Sequence, residues 1–176
     1  LQAAWARSYP GGKPVEQGGN LVQNQDGSFA FRPGQAGTEE DFTPDITDVA
    51  KGQRLVGVGH THGYAKKRSS PTNVSFSGED LVHLLFNGEP FVAAQSNESR
   101  FIVARTAELN KQLDRLNYEQ VQELAERVRS TWKAAHDSAK GSFAERADAA
   151  TQATCSAFHM VYYRGKGSIL KRRSEE

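Results

Sequence analysis

The sequence has little of several features that mark whole classes of protein. It contains a single cysteine among 176 residues, which excludes an internal disulfide framework and any metal centre built from several cysteines. Its apolar runs are far shorter than the ~20 residues of a membrane-spanning helix. No basic segment followed by an apolar run is visible at the start, so the sequence shows no signal peptide.

The chain also lacks an excess of either charge. Its 22 Lys and Arg residues are balanced by 21 Asp and Glu residues, for a formal net charge of +1. A near-neutral chain has no electrostatic footprint for nucleic acid or for an anionic membrane, so we expect neither as a partner. The length is that of one domain, since domains typically have ~100–200 residues, and it is sufficient for a sizeable core.

The first part of the chain, residues 1–105, is rich in turn signals. Short apolar segments alternate there with glycine- and proline-containing stretches, which predicts short strands joined by loops. One apolar strand runs from Arg54 to Gly59 and ends on His60-Thr61-His62. A helix is predicted from Glu79 to about Phe86.

The second part, residues 106–176, has a different hydrophobic period. From Thr106 to about Ala139, apolar residues recur at helical spacing. A further helix is predicted over residues 143–158, and the segments 159–163 and 168–171 could pair as strands. We therefore predict a mixed α/β (α+β) fold: a core over 1–105 and a helical extension that ends in a short β-hairpin and packs on the same domain.

Two histidines at the end of a predicted strand are the strongest candidates for chemistry. Side chains at positions i and i+2 of a strand point to the same face, so His60 and His62 can converge on one ion. A catalytic zinc ion typically takes three protein ligands and leaves a fourth position to water. Asp80, in the first turn of the next predicted helix, is the best-placed third ligand. A carboxylate outside the metal ligands would then act as the general base.

Three segments together resemble the JAMM/MPN (JAB) metallopeptidase pattern. That pattern has a Glu with a Gly three residues later, a His-x-His that closes a strand, and a Ser-x-x-Asp that opens a helix. The resemblance covers roughly residues 15–105. It is more narrowly a similarity to JAB-related C-terminal domains of bacterial polymorphic toxins, including Rhs-type effectors. The features that carry this narrower similarity are the glycine-flanked Glu, His-Thr-His-Gly and Phe-Ser-x-x-Asp. The matching segments are Glu16-Gln17-Gly18-Gly19, His60-Thr61-His62 and Ser77-Gly78-Glu79-Asp80.

The resemblance implies a zinc-dependent metallopeptidase or isopeptidase built on a curved, mostly antiparallel sheet flanked by helices. His60, His62 and Asp80 would ligate Zn²⁺. Glu16 would take a proton from the zinc-bound water and pass it to the leaving amine. Ser77 would donate to the oxyanion, and one such donor can contribute ~3 kcal/mol.

The similarity to toxin domains also implies partners and a place of action. The substrate would be a protein or peptide, and the domain would have an immunity protein and an Rhs-type carrier protein as partners. A sequence that opens on Leu1 suits a domain released from such a carrier. The expected place of action is the cytoplasm of a target cell, reached by secretion or delivery.

Two departures from the family pattern concern the rim of the site. Gly63 follows the second histidine, where the family usually has proline. Fourteen residues, 63–76, separate His62 from Ser77, about twice the usual spacing. Because its helix places Asp80, the longer loop need not break the site, but it predicts a different rim around the substrate and weakens the case for a ubiquitin-like substrate.

Several of the site residues also have simpler explanations. Ser77 and Asp80 match a helix capping box, and a carboxylate that reaches back to the cap amide cannot easily face a metal as well. Glu16 is otherwise a surface carboxylate. The acidic run 39–41 and the basic run 66–68 are expected to be solvated, although the acidic run could cover the site.

The remaining histidines and the cysteine are expected to have structural roles. His83 lies on nearly the same helical face as Asp80, and we expect it to be a half-buried packing residue. His136 is expected to face solvent. Cys155 and His159 share a helical face at the spacing that a cysteine nucleophile would need, but the apolar surroundings of Cys155 favour a small buried hydrophobe.

Two other functions compete with the peptidase. One is a catalytically silent MPN-like interaction domain, which would have no reason to keep His60, His62 and Asp80 together. The other is a metal-dependent nuclease toxin. HNH-type nucleases usually need a further His or Asn on a ββα unit, which the predicted order of elements does not supply.

Overall fold

The computed structural model describes residues 1–8, 14–38, 42–63 and 74–173. The acidic run 39–41 and the basic run 66–68 lie outside these residues. The described strands are β1 (Gly18–Gln23), β2 (Phe29–Pro33), β3 (Arg54–Thr61), β4 (Phe91–Ser96), β5 (Ser99–Arg105), β6 (Met160–Lys166) and β7 (Ile169–Arg173). The described helices are α1 (Gln2–Arg7), α2 (Gly78–Phe86), α3 (Ala107–Leu113), α4 (Tyr118–Ser138) and α5 (Phe143–Ala157).

The seven strands form one sheet in the order β2-β1-β3-β4-β5-β6-β7. All neighbouring pairs are antiparallel except β3 and β4, which are parallel. A parallel pair needs a crossover connection, and α2 lies within it. The predicted mixed fold with a mostly antiparallel sheet is confirmed, and the C-terminal hairpin is part of that same sheet.

Cross-strand rows of side chains join the sheet to the helices. Val58, Val92, Val103 and Tyr162 are successive partners across β3, β4, β5 and β6, and all four side chains are buried. They belong to one apolar cluster with residues of α2, α3, α4 and α5. His60 is two residues beyond Val58, so it lies on this same face at the end of the core.

The predicted long helix from Thr106 to Ala139 is wrong in one respect, because it is two helices. The Asn117 side chain accepts a hydrogen bond from the backbone N–H of Gln120, and the Gln120 side chain accepts one from the backbone N–H of Asn117. This capping box starts α4 and separates it from α3, although Leu113 and Leu116 continue the apolar spacing across the break. The short helix α1 was not predicted, and β7 continues through Arg173.

Helix α4 packs against both α2 and α5, and α5 also packs on β6. The Trp132 indole N–H of α4 donates to the carbonyl of Phe76, just before α2 (3.1 Å). The Thr151 hydroxyl of α5 lies 3.1 Å from the same carbonyl oxygen and 2.8 Å from that of Ala147. The segment that leads into α2 is therefore held by both long helices. None of the helices in the described ranges combines the length and apolar content needed to cross a bilayer.

Candidate metal centre

The end of β3 brings the two predicted histidine ligands together. His60 lies opposite Gly18 of β1 and Ala94 of β4, and His62 follows directly after the strand. Both imidazoles are buried. Their Nε2 atoms are 2.8 Å apart, so the two rings converge as the alternation of a strand predicts.

Asp80 completes the group from the first turn of α2. Its Oδ1 lies 2.9 Å from His60 Nε2, and its Oδ2 lies 3.7 Å from His62 Nε2. In a tetrahedral zinc site with bonds of ~2.0–2.1 Å, ligand atoms are about 3.4 Å apart. Two of the separations in this group, 2.8 and 2.9 Å, are shorter than that value, and the third, 3.7 Å, is longer. His60, His62 and Asp80 thus form a group that could hold a metal ion.

The protonation of His62 suits a metal ligand. Its Nδ1 lies 3.2 Å from the carbonyl oxygen of Val74, and a carbonyl can only accept, so Nδ1 carries the proton and Nε2 keeps its lone pair. Burial, with a further contribution from the charge of His60, lowers the pKa of His62 to about 4. His62 is therefore neutral at pH 7, the form that binds a metal.

Asp80 is held in its charged form. Burial alone would raise the pKa of its carboxyl. The charge of His60 and its hydrogen bond to the carboxylate, together with His62 and the Ser77 amide, hold that pKa well below its ordinary value. A buried carboxylate with these neighbours keeps the negative charge that a cation requires.

Asp80 both caps α2 and faces the two candidate histidine ligands. Asp80 Oδ2 accepts hydrogen bonds from the Ser77 amide (2.6 Å) and the Ser77 hydroxyl (2.7 Å), which completes the capping box of α2. Oδ1 meanwhile faces His60. The carboxylate has two oxygens and can serve both partners, so capping positions the candidate ligand.

Glu16 lies at the same site. Its residue is 8 % exposed, and it lines a cavity of about 320 Å³ together with His62, Ser77 and Asp80. Its backbone is fixed by an N–H that donates to Thr38 (2.7 Å) and a carbonyl that accepts from Gly37 (2.9 Å). This burial does not fit the simpler interpretation of Glu16 as a surface carboxylate. Its role as general base stays a prediction.

The two glycines after Glu16 have a steric reason. A Cβ on Gly18 would lie 2.4 Å from the Phe42 ring, and one on Gly19 would lie 1.9 Å from the carbonyl oxygen of Arg32. The Phe42 ring stacks on His60, with ring centroids 6.2 Å apart. Gly18 therefore leaves room for the aromatic ring that packs on one of the candidate ligands.

The predictions for the three other histidines have different outcomes. His83 is half-buried, as predicted, and its Nε2 lies 2.6 Å from Oε1 of the fully buried Glu89. The prediction that His136 faces solvent is wrong: it is 9 % exposed and stacks on Trp132 at 4.9 Å between centroids. His159 follows the end of α5 and has an exposed side chain, so it does not continue the helical face of Cys155.

Cys155 is a buried hydrophobe, as predicted. Burial raises the pKa of its thiol well above the ordinary value, and only the thiolate is a good nucleophile. We therefore expect no reaction of the folded protein with a disulfide reagent such as Ellman's at pH 8, and one thiol per chain after unfolding in guanidinium. Rapid labelling of the folded chain would contradict this burial, and a Cys155→Ser variant provides the blank.

Part of the cavity lining comes from the helices after residue 106, whose faces the sequence leaves open between packing, dimerisation and substrate recognition. Trp132, Phe143 and Ala147 line the cavity from α4 and α5, and no ligand-type spacing in those helices pointed to them. Comparison of the chain with family models, with curated proteins and with solved structures gave no match. The likeness to the JAMM/MPN pattern therefore rests on the three short segments alone.

Proposed function

We propose that the protein is a zinc-dependent hydrolase that cleaves a peptide or isopeptide bond. The observation that carries this proposal is the convergence of His60, His62 and Asp80 at a cavity that Glu16 also lines. Two imidazoles and one carboxylate, with an adjoining cavity for water and substrate, form a ligand set typical of catalytic zinc. Bound zinc supplies Lewis-acid chemistry, because it polarises a carbonyl and lowers the pKa of water to ~7.

Glu16 is the proposed general base. A carboxylate at the cavity can accept a proton from an attacking water molecule and return it to the leaving nitrogen, so that an amine departs. Hydrolysis of an amide needs both transfers, since an unprotonated amide nitrogen is a poor leaving group. Glu16 is buried beside the candidate ligands and is not one of them, which suits a group that must gain and lose a proton.

Ser77 has a different proposed role from the one implied by the resemblance. Its hydroxyl has one proton, which is donated to Asp80 Oδ2 at 2.7 Å. We propose that this bond orients the Asp80 carboxylate toward the histidines. Ser77 would act on an oxyanion only if its hydroxyl turned away from Asp80.

The proposal also includes a biological setting, and only the motif resemblance supports it. In that setting the protein is the toxin domain of a delivered bacterial effector, with an Rhs-type carrier and an immunity protein as partners. Its substrate would be a protein or peptide in the target cell. The metal-centre experiment below does not depend on this setting.

The first test is the zinc content of the purified protein by elemental analysis, with His62→Ala beside the wild type. We expect about one zinc per chain in the wild type and none in the variant, because His62 contributes one of three ligand atoms. The zinc-loaded protein is then incubated with a peptide library, and new amino termini are identified by mass spectrometry. Cleavage that disappears in His62→Ala supports the proposal.

Other outcomes favour the competing functions. A wild-type protein without metal, even after zinc is added back and the excess is dialysed away, would favour the silent interaction domain. A zinc-loaded protein that leaves the peptides intact but cuts DNA or RNA would favour the nuclease.

A further inference from the structure

The cavity beside the candidate metal centre has an aromatic wall. Its lining includes a first group, His62, Ser77, Asp80 and Glu16, and a second group, Phe76, Trp132, Phe143 and Ala147. The first group comes from the segments with recognisable motifs. The second group is mainly from α4 and α5, so these helices form part of the site.

The rings of this wall are held in place by defined contacts. The Trp132 indole donates to the Phe76 carbonyl (3.1 Å) and stacks on His136 with an angle of 11° between the ring planes. Phe143 meets His136 edge-on, at 5.2 Å between centroids. Phe143 is nevertheless 45 % exposed. The aromatic surface is thus fixed in position but still open to a ligand.

Two of the acidic residues that line the cavity are already bound to other groups. Glu79 also lines the cavity, but its two carboxylate oxygens bind Arg129, with Nε at 2.7 Å and Nη2 at 3.0 Å. Asp80 is bound to His60 and Ser77.

The size of the cavity limits what it can hold. Its volume of about 320 Å³ is at the lower end of the ~300–1,000 Å³ of small-molecule sites, which suits one large side chain.

We propose that this cavity binds a large apolar side chain, preferably aromatic, of the substrate residue next to the cleaved bond. The inference rests on the proposed function, since it assigns a substrate class to the same site. Trp132, Phe143 and Ala147 then determine specificity: the two rings contact the substrate side chain, and the small Ala147 leaves space for it. Stacking and edge-on contacts favour an aromatic side chain over an aliphatic one of the same size.

The test uses hydroxamates, whose head group binds zinc, as probes of the zinc-loaded protein. Isothermal titration compares acetohydroxamate with 3-phenylpropanohydroxamate, and also with chains of similar length that end in an ammonium or a carboxylate group. We expect the phenyl compound to bind roughly tenfold or more tightly than acetohydroxamate, from burial of its ring. The charged compounds should gain little.

Variants of the wall test the same point. Phe143→Ala removes an exposed ring without touching the core, and should reduce the preference for the phenyl compound several-fold while acetohydroxamate binds as before. Ala147→Trp fills the cavity and should abolish the preference. Ala149→Trp, on the exposed side of the same helix, is its matched control. Zinc content and circular dichroism confirm that each variant is folded and loaded.

The possible failures are distinguishable. If the zinc-loaded protein binds all the hydroxamates equally well, or if Phe143→Ala leaves the preference unchanged, the aromatic subsite is wrong and the metal centre stands. If the protein holds no zinc, or holds it but binds no hydroxamate, the proposed function fails and the subsite fails with it.

Discussion

Replacing Asp80 with alanine is expected to abolish zinc binding and to weaken the start of α2 at the same time. One oxygen of this carboxylate faces His60, and the other accepts two hydrogen bonds from Ser77. Loss of the outer contacts of a ligand commonly lowers metal affinity by about 10–100-fold, so loss of the ligand itself should exceed ~100-fold. Loss of the cap should lower the free energy of unfolding of the metal-free protein by about 1 kcal/mol. Zinc affinity is measured by competition with a chromophoric chelator, and stability by urea unfolding.

Two neighbouring variants separate the two roles of Asp80. Asp80→Asn keeps an oxygen that can accept from the Ser77 amide but removes the charge, so it should lose zinc with less effect on α2. Ser77→Ala removes the capping hydroxyl and leaves the carboxylate, so it should lose about 1 kcal/mol of stability and bind zinc only about 10–100-fold more weakly. Wild-type zinc affinity in Asp80→Asn would rule out this residue as a ligand.

Glu16→Gln should lower kcat/KM by about 10²–10⁴-fold while zinc remains bound at one ion per chain. Glutamine has nearly the shape of glutamate but cannot accept the proton, and general acid–base catalysis contributes about this factor. Because Glu16 is not one of the three candidate ligands, metal content should not change. The assay is hydrolysis of the best peptide from the cleavage screen, with zinc measured on the same sample.

The cavity offers a control for this substitution. Glu79→Gln changes a second carboxylate that lines the same cavity, but that carboxylate is bound to Arg129. We expect a much smaller loss of kcat/KM than in Glu16→Gln. If Glu16→Gln were as active as the wild type, Glu16 would not be the base, and a large loss in Glu79→Gln would point to Glu79 instead.

The parts of the site that could be predicted from the sequence depend on local geometry. The alternation of a strand brings His60 and His62 together, and a capping signal places Asp80 in the first turn of a helix. Both relations hold over a few residues. The same capping pattern made it difficult to expect that Asp80 also faces the histidines, because only the structure shows that its two carboxylate oxygens have different partners.

The parts that could not be predicted depend on packing between distant elements. His136 stands in a polar stretch of the sequence, which is typical of the surface. In the structure, Trp132 from its own helix and Phe143 from the next one contact its ring. The contact with Phe143 exists only because α4 and α5 pack against each other. The break before α4 was different: the capping signal at Asn117 was present in the sequence, but the apolar spacing across it concealed the end of α3.

The site is assembled by more of the chain than the motifs occupy. The recognisable segments lie within roughly residues 15–105, but β6 and β7 complete the sheet beside β5. Trp132 and Thr151 bind the Phe76 carbonyl from beyond that range. A chain that stopped at Arg105 would leave β5 with an unpaired edge, which favours aggregation, and would lose both groups that fix the approach to Asp80. The structural support of the candidate site therefore extends beyond residue 105, and a fragment that holds only the motif segments would lack it.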